Sequence, residues 1–510
     1  MITNQIEGKS YLGQGRLGFE EYFQHVTKFR KAVDQMMPRL GGACVIKACD
    51  VSHPGTPMVI DTKISELFKK YIEDQVKEGN ALDCMRFSEH QPGLARKAIT
   101  EIIGERFTSV SDITQDEVLI LYGSSTQWLD IVFRFCIVKS LQDDFYHQRV
   151  VKQPVVLTPS GSFKCGGYFP YASGGKLHYI PTQLSNNYKI TSESLDAEIK
   201  NINQKENEKV VCFVLETPSA LGQNYSCEEL ADFAAVLGKY PDIFWLQDWY
   251  NLGTEHNGII NPSMVENTSI STQGCTVISF RRDWGGAASY ANVSALHSRN
   301  LEFIKEVSKQ CSETYFYTHP PFSKLQSFIT GIIAEEMQYS EFTSDHQIYF
   351  KQQFGVYSDQ LRLTNQWINE QLHTQNVQYI FTIQSEAGQF GFLFFNKNIT
   401  NKAGISDGTE MAELMCLYGK CRVMPTLLAP MGIGFDPVGI RMNICMSNDA
   451  KKNSDIIQDI FARIAQLILD IERNNLSYSK FISLIKILRQ GEQIPHAQLE
   501  QFIVELPLRS

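Results

Sequence analysis

Two adjacent arginines, Arg281 and Arg282, follow the apolar run "CTVISF", and a glycine-rich bend begins shortly after them. Each guanidinium stays protonated and presents a fork of N–H donors that suits a phosphate or a carboxylate. Together with Ser279, which precedes them, they form a candidate anion site at a strand end. An arginine pair on a solvated surface turn has the same local sequence, so the rest of the chain must separate the two interpretations.

Small polar residues follow a second apolar run. Gly123, Ser124 and Ser125 lie between "EVLILY" and the helical pattern "TQWLDIVFRFCIVKSL". Residues of this kind at a helix start let backbone N–H groups and hydroxyls converge on an anion, although an ordinary helix cap has the same composition. Phe163 follows the run "QPVVLTPS", where an aromatic face can stack on a planar ring or simply join the core.

Three further apolar segments carry polar or charged side chains, two of them at their ends and one in its interior. Ser219 lies in the turn after "KVVCFVLE", and Asp248 and Tyr250 end the run "DIFWLQDWY". A buried carboxylate at such a place needs a cation or hydrogen-bond donors. Arg441 is embedded in the apolar segment "VGIRMNICMS", and a buried guanidinium requires an anionic partner, for which a carboxylate is well shaped.

Apolar runs alternate with helical patterns from about residue 85, which predicts an α/β protein with a mainly parallel sheet covered on both faces. Long helices and a second group of strands follow after about residue 300. We therefore predict an N-terminal extension and part of a small domain over residues 1–84, a large ligand-binding domain over 85–330, and a C-terminal small α+β domain over 331–510.

Composition limits the classes of partner. The chain has 510 residues and a net charge of −9, so general attraction to nucleic acid or to an anionic membrane surface is not expected. No apolar run approaches the roughly 20 residues that cross a bilayer. The twelve cysteines are scattered without metal-ligand spacing, which favours reduced thiols, no metal site and a cytoplasmic location.

In their order along the chain, these segments resemble the class I/II aminotransferases among the fold-type I pyridoxal-phosphate enzymes. The segments "HQPGLARKAITEIIGERF", "ILYGSS", "ETPSALGQNYSCEEL", "DIFWLQDWYNLG" and "VGIRMNICMS" carry the resemblance. It implies a large domain with a seven-stranded, mainly parallel sheet, a smaller α+β domain built from both chain ends, and a homodimer. It also implies an amino acid or amine as the small-molecule ligand.

The resemblance gives a role to each candidate residue. Asp248 matches the residue that holds the cofactor's pyridinium nitrogen, and Arg441 matches the clamp for the substrate carboxylate. The expected cofactor contacts are Gly123, Ser124, Ser125, Phe163, Ser219, Asp248, Tyr250, Ser279, Arg281 and Arg282.

The family's cofactor-binding lysine is replaced here by Arg282, and no lysine occurs between Lys239 and Lys305. A guanidinium with a pKa above about 12 is neither a nucleophile nor a good proton shuttle. Three hypotheses remain. The first is an enzyme with altered chemistry that binds pyridoxal phosphate non-covalently, with Arg282 and Asp248 at its catalytic centre. The second is a catalytically degenerate pseudoenzyme that binds an anionic amino-acid-like metabolite or a protein partner, and the third is an enzyme that uses the same cleft without a cofactor.

Overall fold

A computed structural model describes residues 93–106, 112–162, 169–256, 262–280, 293–313, 342–425, 438–447 and 449–490, together with residues 49–50, 66, 69–70, 73, 77, 110, 330 and 492. These residues belong to two compact units. One comprises Thr56–Lys351 and Gln384–Gly388, and the other comprises Met1–Gly55, Gln352–Ile383 and Gln389–Ser510. No helix within the described residues is long and apolar enough to cross a membrane.

The first unit is an α/β structure. Its strands are β2 (Val118–Tyr122), β3 (Gln153–Pro159), β4 (Lys176–Ile180), β5 (Glu208–Glu216), β6 (Phe244–Trp249), β7 (Gly274–Ser279) and β8 (Val293–His297). Its helices are α1 (Gly93–Arg106), α2 (Ser125–Tyr146), α3 (Phe169–Ala172), α4 (Ser192–Asn203), α5 (Cys227–Leu237) and α6 (Leu301–Glu313). The helix α7 (Phe342–Leu372) follows and passes into the second unit at Gln352.

The seven strands form one sheet in the order β2-β8-β7-β6-β5-β3-β4. Strand β8 is antiparallel to both of its neighbours, and the other strands are parallel. The predicted mainly parallel, seven-stranded sheet is confirmed. The apolar sequence patterns predict six of these strands, including "KLHYIPT" over β4, and miss β8.

Both faces of the sheet are covered, as its apolar strands predict. One face packs with α1, α4 and α5 into a core that includes Ile99, Ile199, Phe233 and Trp249. Helix α2 lies on the other face, against β3, β5, β7 and β8. Capping serines start two of these helices: Ser124 Oγ accepts from Thr126 N, and Ser226 Oγ accepts from Glu229 N.

The second unit contains the four-stranded antiparallel sheet β12-β13-β10-β9 and a two-stranded parallel pair, β1-β11. The strands are β1 (Cys49–Asp50), β9 (Ile380–Phe381), β10 (Phe390–Phe395), β11 (Cys421–Arg422), β12 (Met424–Pro425) and β13 (Gly439–Asn443). The helices are α8 (Lys397–Ala403), α9 (Gly408–Leu417), α10 (Ala450–Glu472) and α11 (Ile482–Gln490). This mixture of sheet and helices agrees with the predicted α+β character of the C-terminal part.

Candidate functional site

The carboxyl ends of β2, β5, β6 and β7 meet at one edge of the seven-stranded sheet. Here Ser279 at the end of β7 is the register partner of Ser294 near the start of β8, and Asp248 in β6 is the partner of Glu216 at the end of β5. Tyr122 at the end of β2 is the partner of Val293. Ligands of open α/β sheets bind at this edge, which is therefore the candidate site and is called the carboxyl edge below.

Asp248 faces helix α2. Trp249, its neighbour in the strand, belongs to the core on the opposite face, and successive side chains of a strand alternate between faces. Burial raises the pKa of the Cys275 thiol well above its ordinary value, and the nearby Cys136 of α2 and Asp248 raise it further. Asp248 is completely buried, with 0% of its surface exposed, so its carboxyl group lies under α2 and away from solvent.

The first turn of α2 lies at the same edge and on the same face as Asp248. Phe135 of α2 packs on Phe244, the first residue of β6, with 5.9 Å between the ring centroids. Ser125 precedes Phe135 by about 15 Å of helix, and Asp248 follows Phe244 by about 13 Å of strand. Helix α2 joins β2 to β3, which run in the same direction, so it must return along the sheet opposite to the strands. The two distances therefore place the helix start close to the level of the Asp248 carboxylate.

The turn from β2 into α2 is tightly built. Gly123 has φ +139°, and a Cβ at this position would lie 2.2 Å from Gln127 Oε1. The Ser124 hydroxyl bonds to the Thr126 hydroxyl at 2.9 Å, and Ser125 is fully buried. The first turn of α2 contains no acidic residue, so the positive end of its dipole is not neutralised within the helix.

Gln247 holds the ends of β5 and β6 together from the other face. Its Nε2 donates to Thr217 Oγ1 at 2.7 Å and to the Pro262 carbonyl at 2.9 Å, and its Oε1 accepts from Met264 N at 2.9 Å. This buried amide uses its donors and its acceptor within the scaffold, which keeps the neighbouring Asp248 in place.

The turn after β5 is organised around Ser219. Its hydroxyl donates to Gln223 Oε1 at 2.6 Å and accepts from the backbone N–H groups of Leu221 and Gln223 at 3.2 Å. Its carbonyl accepts from Asn251 Nδ2 at 2.8 Å. The Ser219 hydroxyl is therefore engaged inside the turn, although the sequence predicted it as a cofactor contact.

Five buried polar atoms without a hydrogen-bond partner among the described residues lie at the carboxyl edge. They are Gln127 Oε1 and Trp128 Nε1 in the first turn of α2, Ser294 Oγ in β8, Gln223 Nε2 after β5 and Asn251 Oδ1 after β6. Other unpartnered buried atoms, such as Ser140 Oγ, Ser173 Oγ and Thr409 Oγ1, lie elsewhere in the described part of the chain. Native proteins leave few such atoms unsatisfied, and a bound ligand is one way to satisfy several that lie at one edge.

The structure brings most of the predicted contacts to this edge. Those at the edge are Gly123, Ser124, Ser125, Ser219, Asp248 and Ser279, and Tyr250 comes directly after β6. Phe163, Arg281 and Arg282 lie outside the described residues. Arg441 lies in β13 of the second unit, where it is 3% exposed and its guanidinium carbon is 4.2 Å from the centre of the Phe390 ring. A ring at that distance makes a cation–π contact that fixes the plane of the guanidinium.

Sequence reasoning missed Gln127, Trp128, Gln223, Asn251 and Ser294. A signal existed for two of them, because Gln223 and Asn251 are polar residues that follow predicted strands within a few positions. No comparable signal marked Ser294, since the strand that carries it was not recognised. Within the described residues, no group of three or more His, Cys, Asp and Glu side chains is placed to hold a metal ion.

No protein-family model and no curated protein sequence matches the chain. Solved structures do match it. An aspartate aminotransferase from Rhizobium meliloti superimposes with a TM-score of 0.64 at 14% identity, covering 87% of this chain and 95% of that one. An aspartate aminotransferase from Thermotoga maritima gives 0.63 at 14% identity, covering 85% and 95%.

An aromatic aminotransferase from Pyrococcus horikoshii gives a TM-score of 0.62 at 14% identity, covering 85% of this chain and 98% of that one. At this level of identity the likeness concerns the fold. The chain therefore has the fold-type I fold of the aminotransferases, as its sequence predicted.

Proposed function

We propose that the chain binds pyridoxal phosphate or a closely related phosphopyridine non-covalently at the carboxyl edge and acts there on an amino acid or an amine-type small molecule. The observation that carries this proposal is the set of five partnerless buried polar atoms at the carboxyl edge, the edge at which Asp248 also lies. The aminotransferase fold of the chain supports the choice of cofactor. When bound, this cofactor supplies a ring that withdraws electrons from a substrate carbon.

The described residues fit the two ends of such a molecule. The Asp248 carboxylate suits a protonated ring nitrogen, because a buried carboxylate is stabilised by a cationic donor. The backbone N–H groups at the start of α2 suit the phosphate, since a helix N-terminus without acidic side chains favours an anion. Ser279 and Ser294 contribute hydroxyls on the same face of the sheet.

Position 282 carries no lysine amine that could bond covalently to the cofactor, so the proposed binding is non-covalent. A guanidinium at position 282 stays protonated, so it contributes charge and N–H donors instead of a covalent bond. We propose that Arg281 and Arg282 attract the anionic groups of cofactor or substrate. Arg441 is the proposed ligand of a substrate carboxylate, with the Phe390 ring fixing its guanidinium plane.

A second candidate is a pseudoenzyme that binds an anionic amino-acid-like metabolite or a protein partner. The replacement of the lysine by Arg282 favours it, because anion binding needs no nucleophile. A cofactor-free enzyme acting in the same cleft is the third. In all three cases we propose a homodimer, which size-exclusion chromatography with light scattering tests directly.

The deciding experiment is an absorbance titration of the purified chain with pyridoxal phosphate, before and after borohydride. We expect a saturable change in the cofactor band and, after borohydride and denaturation, no cofactor attached to the chain. A cofactor that stays attached after borohydride would contradict the non-covalent part. The absence of any saturable change would reject the first candidate in favour of the cofactor-free ones.

A further inference from the structure

The edge of the seven-stranded sheet opposite to the carboxyl edge has a cleft with a volume of about 1050 Å³. It is lined by Lys209 and Val210 near the start of β5, by Phe244 at the start of β6, by Gln273 just before β7 and by the last turns of α2. Helix α2 begins at the carboxyl edge and has 22 residues, so its end lies about 30 Å from its start. We call this second concavity the amino-edge cleft, and it is separate from the candidate site.

Aromatic rings form part of the inner surface of the amino-edge cleft. Phe135 of α2 and Phe244 of β6 both line it, and Phe303 of α6 packs against the two rings, with centroid distances of 4.9 and 4.8 Å. The half-buried Tyr240 lines the cleft beside them. An apolar side chain that enters the cleft would leave water and contact these rings, which favours its binding.

The cleft is positively charged, in contrast to the chain as a whole. Five cationic side chains and three carboxylates line it, with histidine counted as neutral, whereas the net charge of the chain is −9. One of the three carboxylates, that of the buried Asp144, forms salt bridges with Lys209 Nζ at 2.5 Å and with Arg149 Nε at 3.2 Å. A concave surface lined by one sign of charge attracts groups of the opposite sign. The other three cations are Lys139, Lys152 and Lys239.

The rim of the cleft exposes apolar side chains. All of residues 145–151 are exposed, and four of them are large and apolar, with between 54% and 79% of their surfaces accessible. Val150 also lines the cleft itself, so rim and cleft are continuous. A group of exposed apolar side chains next to a concave surface is typical of a site that binds another macromolecule. The four are Phe145, Tyr146, Val150 and Val151.

The turn that carries these side chains is fixed by hydrogen bonds. Arg149 N donates to the Asp144 carbonyl at 2.8 Å, and Lys152 N donates to Asp144 Oδ2 at 3.3 Å. The rings of Phe145 and Tyr146 pack edge to face with 5.9 Å between their centroids. Because the rim is already ordered, binding a partner here costs little further conformational entropy.

We propose that the amino-edge cleft and its rim, residues 145–151, bind an acidic peptide segment of a partner protein that also carries aromatic or aliphatic side chains. The carboxylates of the segment lie against the lysines of the cleft, and its apolar side chains contact the rim and the rings of Phe135 and Phe244. An extended peptide reaches both parts, whereas a flat bilayer surface reaches the rim but does not enter the cleft. The inference is independent of the proposed function, because the two sites lie at opposite edges of the sheet.

The test selects random phage-displayed peptides on the full chain and titrates the selected peptides, fluorescently labelled, by anisotropy. We expect them to contain more Asp and Glu than Lys and Arg, together with aromatic or aliphatic residues. The double variant Phe145→Ser, Tyr146→Ser should bind them at least about tenfold more weakly, because a few aromatic side chains dominate the affinity of most interfaces. Leu184→Ser removes an exposed apolar side chain that does not line the cleft and should bind them as the unaltered chain does.

Lys139→Glu tests the charge of the cleft. It reverses an exposed charge in the cleft lining and should weaken binding of the same peptides about threefold or more. Lys97→Glu makes the same change on α1, which packs on the other face of the sheet, and should leave their affinity unchanged.

The proposal is wrong if the selection yields only peptides without an acidic excess, or none whose binding depends on Phe145 and Tyr146. It is also wrong if the unaltered chain, but not the double variant, sediments with vesicles of phosphatidylcholine and phosphatidylserine, which would assign the rim to a membrane surface. Conversion of a dimer into a monomer by the double variant would instead assign the rim to a second copy of this chain.

Discussion

Glu216 and Asp248 are register partners on the parallel strands β5 and β6, and the structure buries both residues, leaving 1% and 0% of their surfaces exposed. Partner residues of parallel strands point to the same face, so two carboxyl groups lie side by side under α2. Glu216 Oε2 accepts from the backbone N–H of Ala220 at 3.1 Å, which ties it to the turn. In the proposed function, a protonated ring nitrogen binds beside Asp248.

Asp248→Asn tests this electrostatic role. Removing the charge weakens a hydrogen bond to a cationic donor, so we expect the affinity for pyridoxal phosphate to fall by about tenfold or more. The measurement is a titration of the cofactor band. Asp232→Asn removes an equal charge from the exposed face of α5 and is expected to leave the affinity unchanged. Equal affinities of the two variants would place the cofactor nitrogen away from Asp248.

Arg282→Lys tests the identity of the loop after β7. A lysine amine is able to bond covalently to the cofactor aldehyde, and a guanidinium is not. We expect the variant, after incubation with pyridoxal phosphate and borohydride, to gain the mass of one reduced cofactor on the peptide that contains residue 282. Arg281→Lys is the control, for which no added mass is expected. Labelling of both variants to the same extent would show that the two positions are not distinguished.

Arg441→Ala tests the carboxylate clamp. Truncating one member of a buried charge pair costs about 2 to 5 kcal/mol, so binding of an amino-acid-like carboxylate ligand is expected to weaken by at least about 30-fold. Calorimetric titration measures the change. Arg362→Ala removes a largely exposed guanidinium, with 65% of its side chain accessible, and is expected to bind as the unaltered chain does. If Arg441→Ala keeps full affinity, Arg441 has a purely structural role.

Two buried histidines predict how stability depends on pH. Burial lowers the pKa of His297 below its ordinary value of 6.5, and the Glu117 carboxylate, 3.8 Å from Nε2, offsets part of this. Burial also lowers the pKa of His256, and the hydrogen bond between this ring and the Gly388 carbonyl offsets part of that decrease. Both rings therefore stay neutral in the folded chain at pH values where the unfolded chain already binds protons.

The free energy of unfolding should consequently fall as the pH drops below 6.5 and level off below the folded-state pKa of each ring. The slope is at most about 1.4 kcal/mol per pH unit for each histidine. Urea unfolding at pH 8, 6.5 and 5.5 measures it, and His297→Gln should flatten part of the decline. The same slope with and without His297 would mean that other groups cause it.

Gly222→Ala tests the contact between the Ser219 turn and the segment Gln384–Gly388. Gly222 has φ +82°, and a Cβ there would lie 2.2 Å from the Ala387 carbonyl oxygen. Gly174 has nearly the same φ, +84°, with no described atom within 4 Å of the added Cβ. Both alanines suffer the backbone strain, but only the first displaces the segment. We expect Gly222→Ala to cost about 1 to 3 kcal/mol more in urea unfolding than Gly174→Ala. Equal costs would mean that the segment moves aside freely.

The order of elements could be predicted from sequence because parallel strands that are buried on both faces consist of uninterrupted apolar residues. Six strands and the helix α2 were recognised in this way, and Asp248, Ser219 and the turn at Gly123 followed as strand-end residues. Strand β8 could not be recognised. Its five residues, Val293–His297, include Ser294 and His297, so the segment is neither a clean apolar run nor long enough to show alternation.

The tertiary structure alone decided which atoms are available to a ligand. The sequence predicted Ser219 as a cofactor contact, yet its hydroxyl is hydrogen-bonded to Gln223 and its carbonyl to Asn251. The unpartnered atoms Gln223 Nε2 and Asn251 Oδ1 belong to those two amides, which lie in different turns 28 residues apart in sequence. Hydrogen-bond satisfaction depends on neighbours that are distant in the chain, whereas the apolar pattern of a strand is local. The fold could therefore be predicted from the sequence, whereas the hydrogen-bonding groups available at the carboxyl edge could be identified only from the tertiary structure.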